Sequence, residues 1–179
     1  MAEAYAHARS PLAGRAAGLA AVGAAEVAFL AQVDLRADPT LAPRLPFALP
    51  LEPNTWTASD GREALWLGPD EWLVVGRPGS APAIAAELGG ALDGEHHAVV
   101  DVSANRTVVE LTGDTRDDLL AQGCSLDLHP RAWRPGSCAQ TLLARVPVLL
   151  QERDHATRVF VRASFAAHLA DWFHAVGAP

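Results

Sequence analysis

Apolar and polar side chains alternate with a period of two in several stretches of the chain, which is typical of half-buried β-strands. The first such stretch runs from Val27 to Arg36, with Leu35 on its apolar side and Gln32 on its polar side. Five prolines break the stretch from Asp38 to Asn54 that follows. Because proline lacks a backbone donor, this segment excludes a long helix or a central strand.

The second half of the chain has a regular pattern of strands, turns and helices. Two apolar runs flank Gly68-Pro69-Asp70-Glu71, a turn sequence, and predict a β-hairpin. One helix is predicted after a cap at Ser80, with Gly94 beyond its end. A second helix is predicted to start at Asp114 or Thr115 and to be stopped by Gly123. Four further strands are predicted at Val99–Val102, Thr107–Thr112, Cys138–Gln151 and Val159–Val161. Pro147 interrupts the third of these and implies a bulge or an edge position.

The two ends of the chain differ in character. Residues 1–25 are rich in Ala and Gly and predict an arm that lies on another surface or is partly disordered. The closing segment predicts a helix that Ser164 caps and Gly177 ends. Its apolar positions predict the core-facing stripe: Phe165, Leu169, Trp172, Phe173 and Val176. Together these elements predict an α+β fold, with an antiparallel-rich sheet and packed helices in a single compact domain at 26–179.

Composition narrows the functional classes. The 179 residues are 50% hydrophobic and 20% charged, which is typical of a folded chain with a sizeable core. The net charge is −7, and the 14 basic residues are all Arg, spread from Arg9 to Arg162, so we expect no nucleic-acid partner. No apolar run is long enough for a spanning helix, and the opening residues lack a signal-peptide pattern. We therefore expect a cytoplasmic chain without a membrane partner, whose Cys124 and Cys138 stay reduced.

The residues that could carry chemistry form one loose cluster. Cys124, Asp127 and His129 lie within six residues, and Cys138 follows nine residues after His129. This spacing lacks the paired ligands typical of a zinc site. A nucleophilic Cys–His pair oriented by Asp127 is a second possibility, although no nucleophile elbow is present. We expect instead a turn that holds a buried thiol, and no catalytic, cofactor-binding or metal-binding residue in this chain.

Three other features have both structural and functional interpretations. Asp101-x-Ser103 ends a strand and favours a turn, although it could also orient a polar ligand. His96 and His97 would point to opposite faces of a strand and could not chelate together. Trp56 and Trp133 lie in irregular segments, where aromatic side chains either meet a partner or plug the chain's own core. We expect both to meet a partner, together with the arm.

Several longer motifs from Leu65 onward resemble one known family. They are Leu65–Leu73, Asp101–Ser103 with Arg106-Thr107, Gly123–Trp133, Cys138–Arg145, Arg162–Phe165 and Ala170–Trp172. Together they are similar to the gamma subunit of heterotetrameric sarcosine oxidase over about residues 60–175, with Ser10-Pro11-Leu12 as a further match. The resemblance implies a fold similar to the folate-binding domain of the aminomethyltransferases. Where those enzymes carry a catalytic acidic pair, this chain has Ala144-Arg145.

The same resemblance implies a function. It implies a non-catalytic, structural subunit of a bacterial flavin-dependent oxidoreductase that demethylates sarcosine to glycine and passes the one-carbon unit to tetrahydrofolate. The partners implied are an alpha chain that binds NAD and tetrahydrofolate, a beta chain with the flavin site, and a zinc-binding delta chain, with FAD and FMN both in the complex. Two alternatives stay open: the equivalent subunit of a related N-methyl amino-acid oxidase or dehydrogenase, and a free-standing folate-binding one-carbon enzyme.

Overall fold

A computed structural model describes residues 8–177 of the chain. Two compact units are present among these residues, one made of residues 8–28, 104–135 and 140–177, the other of residues 29–103 and 136–139. Each unit has one five-stranded sheet, and neighbouring strands run antiparallel. The predicted α+β class is confirmed. The boundary between an arm and a domain at residue 26 stays a prediction.

The first unit combines its sheet with three helices. Its strands are β1 (Ala24–Val27), β7 (Arg106–Thr112), β8 (Cys138–Leu143), β9 (Val146–Glu152) and β10 (Ala156–Arg162). The first two residues of β8 are counted with the second unit. They lie in the order β1-β7-β10-β9-β8. Its helices are α1 (Ala16–Ala20), α3 (Arg116–Ala121) and α4 (Ala163–Gly177). Helix α4 packs on β7 and β10 and contacts the two shorter helices.

The second unit has one helix over its sheet. Its strands are β2 (Ala31–Ala37), β3 (Trp56–Ser59), β4 (Arg62–Gly68), β5 (Glu71–Gly76) and β6 (His97–Asp101), in the order β3-β4-β5-β2-β6. Helix α2 (Ala81–Ala91) buries Ile84 and Leu88 in the core of this unit. A Cβ at Gly76 would lie 2.6 Å from the Cδ1 atom of Ile84, so a larger residue there would have to displace the end of that side chain. The hairpin predicted around Gly68 is confirmed as β4 and β5.

The strand predicted from Val27 to Arg36 is two strands. Strand β1 ends at Val27, β2 begins at Ala31, and Phe29 between them has φ of 62°. A positive φ takes the backbone out of the extended region, so the alternation across this point belongs to two separate strands. Within β2 the predicted apolar side is buried, and Gln32 on the other side is buried as well.

The long strand predicted from Cys138 to Gln151 is a hairpin. Strand β8 ends at Leu143 and β9 begins at Val146, with Ala144 and Arg145 at φ of 50° and 67°. Two consecutive positive φ values are the geometry of a two-residue hairpin turn, which usually carries Asn or Gly. Ala and Arg give no such signal, so the turn could not be found from the residue types. Pro147 lies at the start of β9, before the pairing with β10 begins at Val148.

The predicted core face of the closing helix is partly wrong. The buried residues of α4 are Ala166, Leu169, Ala170 and Phe173. Phe165 is 41% exposed, and Trp172 is half-buried. The small Ala side chains allow close packing on the sheet, so the buried stripe is rotated from the one that large apolar residues suggest. The helix begins at Ala163, one residue before the predicted cap at Ser164.

The described part of the predicted arm is ordered within the first unit. Leu12 and Leu19 are each 1% exposed, and β1 pairs with β7. The hydroxyl groups of Ser10 and Thr107 both donate to the carboxylate of Glu26. From residue 8 onward, the segment therefore lies on its own chain; residues 1–7 of the predicted arm fall outside the described range.

Replacing Leu169 by Ala should lower the free energy of unfolding by about 3–4 kcal/mol, because it opens a cavity under α4. Phe165→Ala, on the exposed side of the same helix, is the matched control and should cost less than about 1 kcal/mol. Urea denaturation of the purified chain measures both. Equal losses for the two variants would show that the buried stripe is assigned incorrectly.

Candidate functional site

The loose cluster of Cys124, Asp127 and His129 forms a turn. The Oδ1 atom of Asp127 accepts from the backbone N–H of His129 at 3.0 Å, and the Nδ1 atom of His129 accepts from the N–H of Arg131 at 3.2 Å. Cys124 lies against the hydroxyl of Thr141 at 3.9 Å. The carboxylate and the imidazole are thus engaged with backbone amides. Residues 8–177 contain no group of three potential ligands placed to hold a metal ion.

Cys138 lies in the interior of the chain as a protonated thiol. Its side chain is fully buried, and its Sγ donates to the carbonyl oxygens of Thr55 and Trp66 at 3.1 and 3.6 Å. Burial raises the pKa of this thiol to about 12. A thiol in this state is neither a nucleophile nor a metal ligand at neutral pH.

Asp101 and Ser103 stabilise the end of β6. The Oδ1 atom of Asp101 accepts from the N–H of Ser103 at 2.9 Å and from its hydroxyl at 2.6 Å. The Oγ of Ser103 in turn accepts from the N–H of Gln32 at 3.0 Å. These bonds favour the structural interpretation, a turn that ties β6 to β2. His97 begins β6, and its Nδ1 lies 2.9 Å from the carbonyl oxygen of Glu95.

The turn between β8 and β9 is held by α4 and by the end of α3. The N–H of Ala144 donates to the carbonyl of Gly123 at 3.1 Å, and His168 lies 3.4 Å from the carbonyl of Ala144. A Cβ at Gly123 would lie 2.6 Å from the Trp172 ring, so glycine is needed for this contact. The position where the resemblance places an acidic pair therefore carries an alanine and an exposed arginine, Arg145.

A buried carboxylate that the sequence did not reveal lies in β9. One oxygen of Glu152 accepts from the guanidinium of Arg116 at 3.0 Å. The other accepts from the indole of Trp133 at 2.8 Å and from the hydroxyl of Thr157. The Glu152 side chain is 4% exposed. A Glu at the end of an apolar strand resembles a solvent-facing residue in sequence, so only the fold brings these four side chains together.

The expectation that Trp133 meets a partner is wrong, because this ring is 8% exposed and belongs to the core of its own chain. Trp56 is half-buried in β3, and its backbone N–H donates to the carbonyl oxygen of Gly136 at 3.0 Å. Two tryptophans from similar irregular segments thus have different surroundings. A contact between Trp56 and a partner stays a prediction.

An open cleft of about 440 Å³ lies in the first unit. Its lining combines small, apolar and polar residues: Ala21, Val22, Gly23, Thr112, Gly113, Thr115, Asp118, Leu119, Gln122, Val176 and Gly177. Asp118 is the one ionisable side chain in that lining. A single carboxylate does not make an acid–base pair, so the cleft supports no catalytic mechanism.

Comparison with known proteins decides the family. Residues 23–178 match the sarcosine oxidase, gamma subunit family. The chain belongs to this family. A sarcosine oxidase subunit gamma from Arthrobacter sp. is 40% identical over 155 residues, which cover 82% of this chain and 75% of the relative. The subunit gamma of Corynebacterium sp. strain U-96 is 39% identical over 165 residues, covering 87% and 79%.

Solved structures agree with this membership in the gamma subunit family. A chain of the heterotetrameric sarcosine oxidase from Corynebacterium sp. U-96, in complex with pyrrole 2-carboxylate, superposes with a TM-score of 0.86 at 36% identity. The match covers 95% of this chain and 94% of that one. The glycine cleavage aminomethyltransferase T of Bartonella henselae gives a TM-score of 0.66 at 14% identity, covering 89% of this chain and 48% of that one. That likeness shows a shared fold, as the sequence motifs implied.

Glu152→Ala should destabilise the chain by about 3–5 kcal/mol, because it leaves the Arg116 guanidinium and the Trp133 indole without their buried acceptor. Glu110→Ala is the matched control. It removes a carboxylate paired with Arg158 in the same sheet. The Glu110 side chain is 29% exposed, against 4% for Glu152, so this pair should contribute at most about 1 kcal/mol. Urea denaturation compares the two, and similar losses would contradict the assigned role of Glu152.

Cys138 should make stability fall at alkaline pH. Because its pKa is raised from 9.0 to about 12 on folding, the unfolded thiol loses its proton above about pH 9 while the folded thiol keeps it. This contribution is complete below pH 9 and should fall by about 1 kcal/mol near pH 10. The difference in unfolding free energy between pH 8 and pH 10 should shrink in Cys138→Ala. Cys124→Ala serves as the control, and an unchanged difference in both variants would refute the effect.

Proposed function

We propose that this chain is the non-catalytic gamma subunit of a heterotetrameric, flavin-dependent sarcosine oxidase, in which it stabilises the assembly. The observation that carries the proposal is the family match over residues 23–178, with relatives about 40% identical that are named as this subunit. It is supported by the internal use of the polar groups: Asp101, Asp127 and Glu152 each accept hydrogen bonds from their own chain.

In this proposal the chemistry belongs to the partner chains. The alpha chain binds NAD and tetrahydrofolate, the beta chain carries the flavin site, FAD and FMN are both in the complex, and the delta chain binds zinc. The complex oxidises the N-methyl group of sarcosine, leaves glycine, passes electrons to oxygen and transfers the one-carbon unit to tetrahydrofolate. We propose that it works in the cytoplasm. The described residues 8–177 contain no helix long and apolar enough to cross a membrane.

The folate-binding fold does not bring a folate mechanism to this chain. Ala144 and Arg145 replace the acidic pair of the aminomethyltransferases, and the backbone of Ala144 is held by Gly123 and His168. The acidic pair that the resemblance ties to catalysis in those enzymes is therefore missing at this position. The free-standing one-carbon enzyme is the less supported alternative.

The test is co-purification. A tagged full-length chain, co-expressed with the alpha, beta and delta chains of its organism, should bring down a yellow complex that consumes oxygen with sarcosine. The chain expressed alone should be colourless, inactive with sarcosine and silent in tetrahydrofolate titration. Comparing sarcosine with N-methylglutamate as the substrate of the complex separates the related oxidases. Stoichiometric flavin or folate bound to the chain alone would overturn the proposal.

A further inference from the structure

Strand β6 forms an open edge of the second unit's sheet. It is the last strand in the order β3-β4-β5-β2-β6, and it pairs with β2 from Ala37↔His97 to Val33↔Asp101. Among residues 8–177, no strand pairs with its other side. The outer side of this five-residue strand is therefore unpaired within that part of the chain.

The register shows which backbone groups point outward. The N–H of Val102 donates to the carbonyl of Gln32 in the direction of β2. In an antiparallel ladder every second residue points the same way, so Val100 and Ala98 also direct their N–H and C=O groups to β2. The N–H and C=O groups of His97, Val99 and Asp101 then point away from the sheet.

This edge lacks the devices that usually prevent pairing. Folded proteins protect such edges with Lys, Pro, a bulge or inward-pointing charge. The sequence His97-Ala98-Val99-Val100-Asp101 has no Lys, Pro or Gly, and its pairing with β2 has no register shift. Ala98 is exposed, and Val100 is 52% exposed. A flat, aliphatic edge of this kind is a template for another strand.

The two ends of the edge both offer acceptors. The Oδ1 atom of Asp101 is bonded to Ser103, which leaves Oδ2 as a charged acceptor. The Nδ1 atom of His97 faces the carbonyl oxygen of Glu95, so this nitrogen carries the proton, and in the neutral ring Nε2 is an acceptor. The chain as a whole carries a net charge of −7. A complementary strand therefore presents donors, best supplied by Arg or Lys, at both ends.

A second copy of this chain fits the edge poorly. Two β6 strands paired antiparallel about Val99 would bring together two copies that each carry a net charge of −7, with only the two His97–Asp101 contacts to offset that repulsion. Five residues also extend only about 17 Å. A stable interface buries about 1,200–2,000 Å² in total, which so short a strand pair does not reach alone. The edge is better suited to be one part of a larger interface with a different chain.

We propose that β6 docks an extended, basic segment of a larger subunit, which adds to the sheet of the second unit as a sixth strand. Main-chain bonds to His97, Val99 and Asp101 hold the segment. Aliphatic side chains cover Ala98 and Val100, and Arg or Lys side chains reach Asp101 and His97. This inference rests on the proposed function, because it needs the partner subunits of the complex.

Val99→Pro in the tagged full chain, co-expressed with its partners, tests the main-chain bonds. Proline removes the outward N–H of Val99 and no bond to β2, so the sheet is preserved. Val99→Ala is the control, since it also loses the Val methyl groups but keeps the N–H. We expect Val99→Pro to weaken retention in the complex at least tenfold relative to Val99→Ala. Equal retention of the two would overturn the proposal.

Asp101→Asn gives a second variant that keeps the Oδ1 acceptor for Ser103 but removes the charge. It should weaken retention several-fold and more strongly at low salt, even if Val99→Pro does not fold. Hydrogen exchange gives a direct measurement: the amides of residues 97, 99 and 101 should exchange more slowly in the intact wild-type complex than in the free full chain. Unchanged exchange in an intact complex would overturn the docking edge and leave the proposed function standing.

Two further outcomes would separate the remaining possibilities. A free chain that is dimeric, with these amides already protected and no slower in the complex, would assign the edge to a second copy and overturn the partner-strand proposal. A wild-type chain that fails to co-purify with the larger subunits would overturn the proposed function itself.

Discussion

The first unit depends on one buried carboxylate. Glu152 at the end of β9 accepts from Arg116 at the start of α3, from Trp133 in the long connection to β8, and from Thr157 in β10. Each donor comes from a different element, so one side chain fixes a helix, an irregular segment and two neighbouring strands. A charge is costly to bury unless all its oxygens are bonded. The requirement to satisfy it explains why the connection, although irregular, has a defined course.

The sequence was most informative where local chemistry and fold agree. Gly68-Pro69-Asp70-Glu71 favours a turn by residue type, and the hairpin forms there. The turn at Ala144-Arg145 has no such residues. Contacts of Ala144 with Gly123 and His168 hold this turn in place instead. Phe165 and Trp172 have the right spacing for a core face, yet Ala166 and Ala170 are buried instead. Helical periodicity predicts a stripe but does not state how near the sheet lies.

Candidate chemistry was harder to judge from sequence than the fold. Asp101-x-Ser103 and Asp127-x-His129 look like polar sites, but both bond the backbone two residues away. That local use was foreseeable, because short polar side chains favour such turns. The burial of Trp133 was not, because its acceptor lies 19 residues further along the chain. The family was foreseeable, since two of its motifs, Gly123–Trp133 and Cys138–Arg145, lie close together in the sequence.

The buried thiol of Cys138 affects how well the chain resists oxidation. Peroxide attacks the thiolate form of cysteine, and a thiol with a pKa of about 12 is almost entirely protonated in the cell. The whole chain contains only two cysteines and one methionine. The chain is thereby poor in the sulfur atoms that reduced oxygen species damage. Resistance to oxidation thus follows from the burial of the Cys138 thiol and from the small number of sulfur-containing residues.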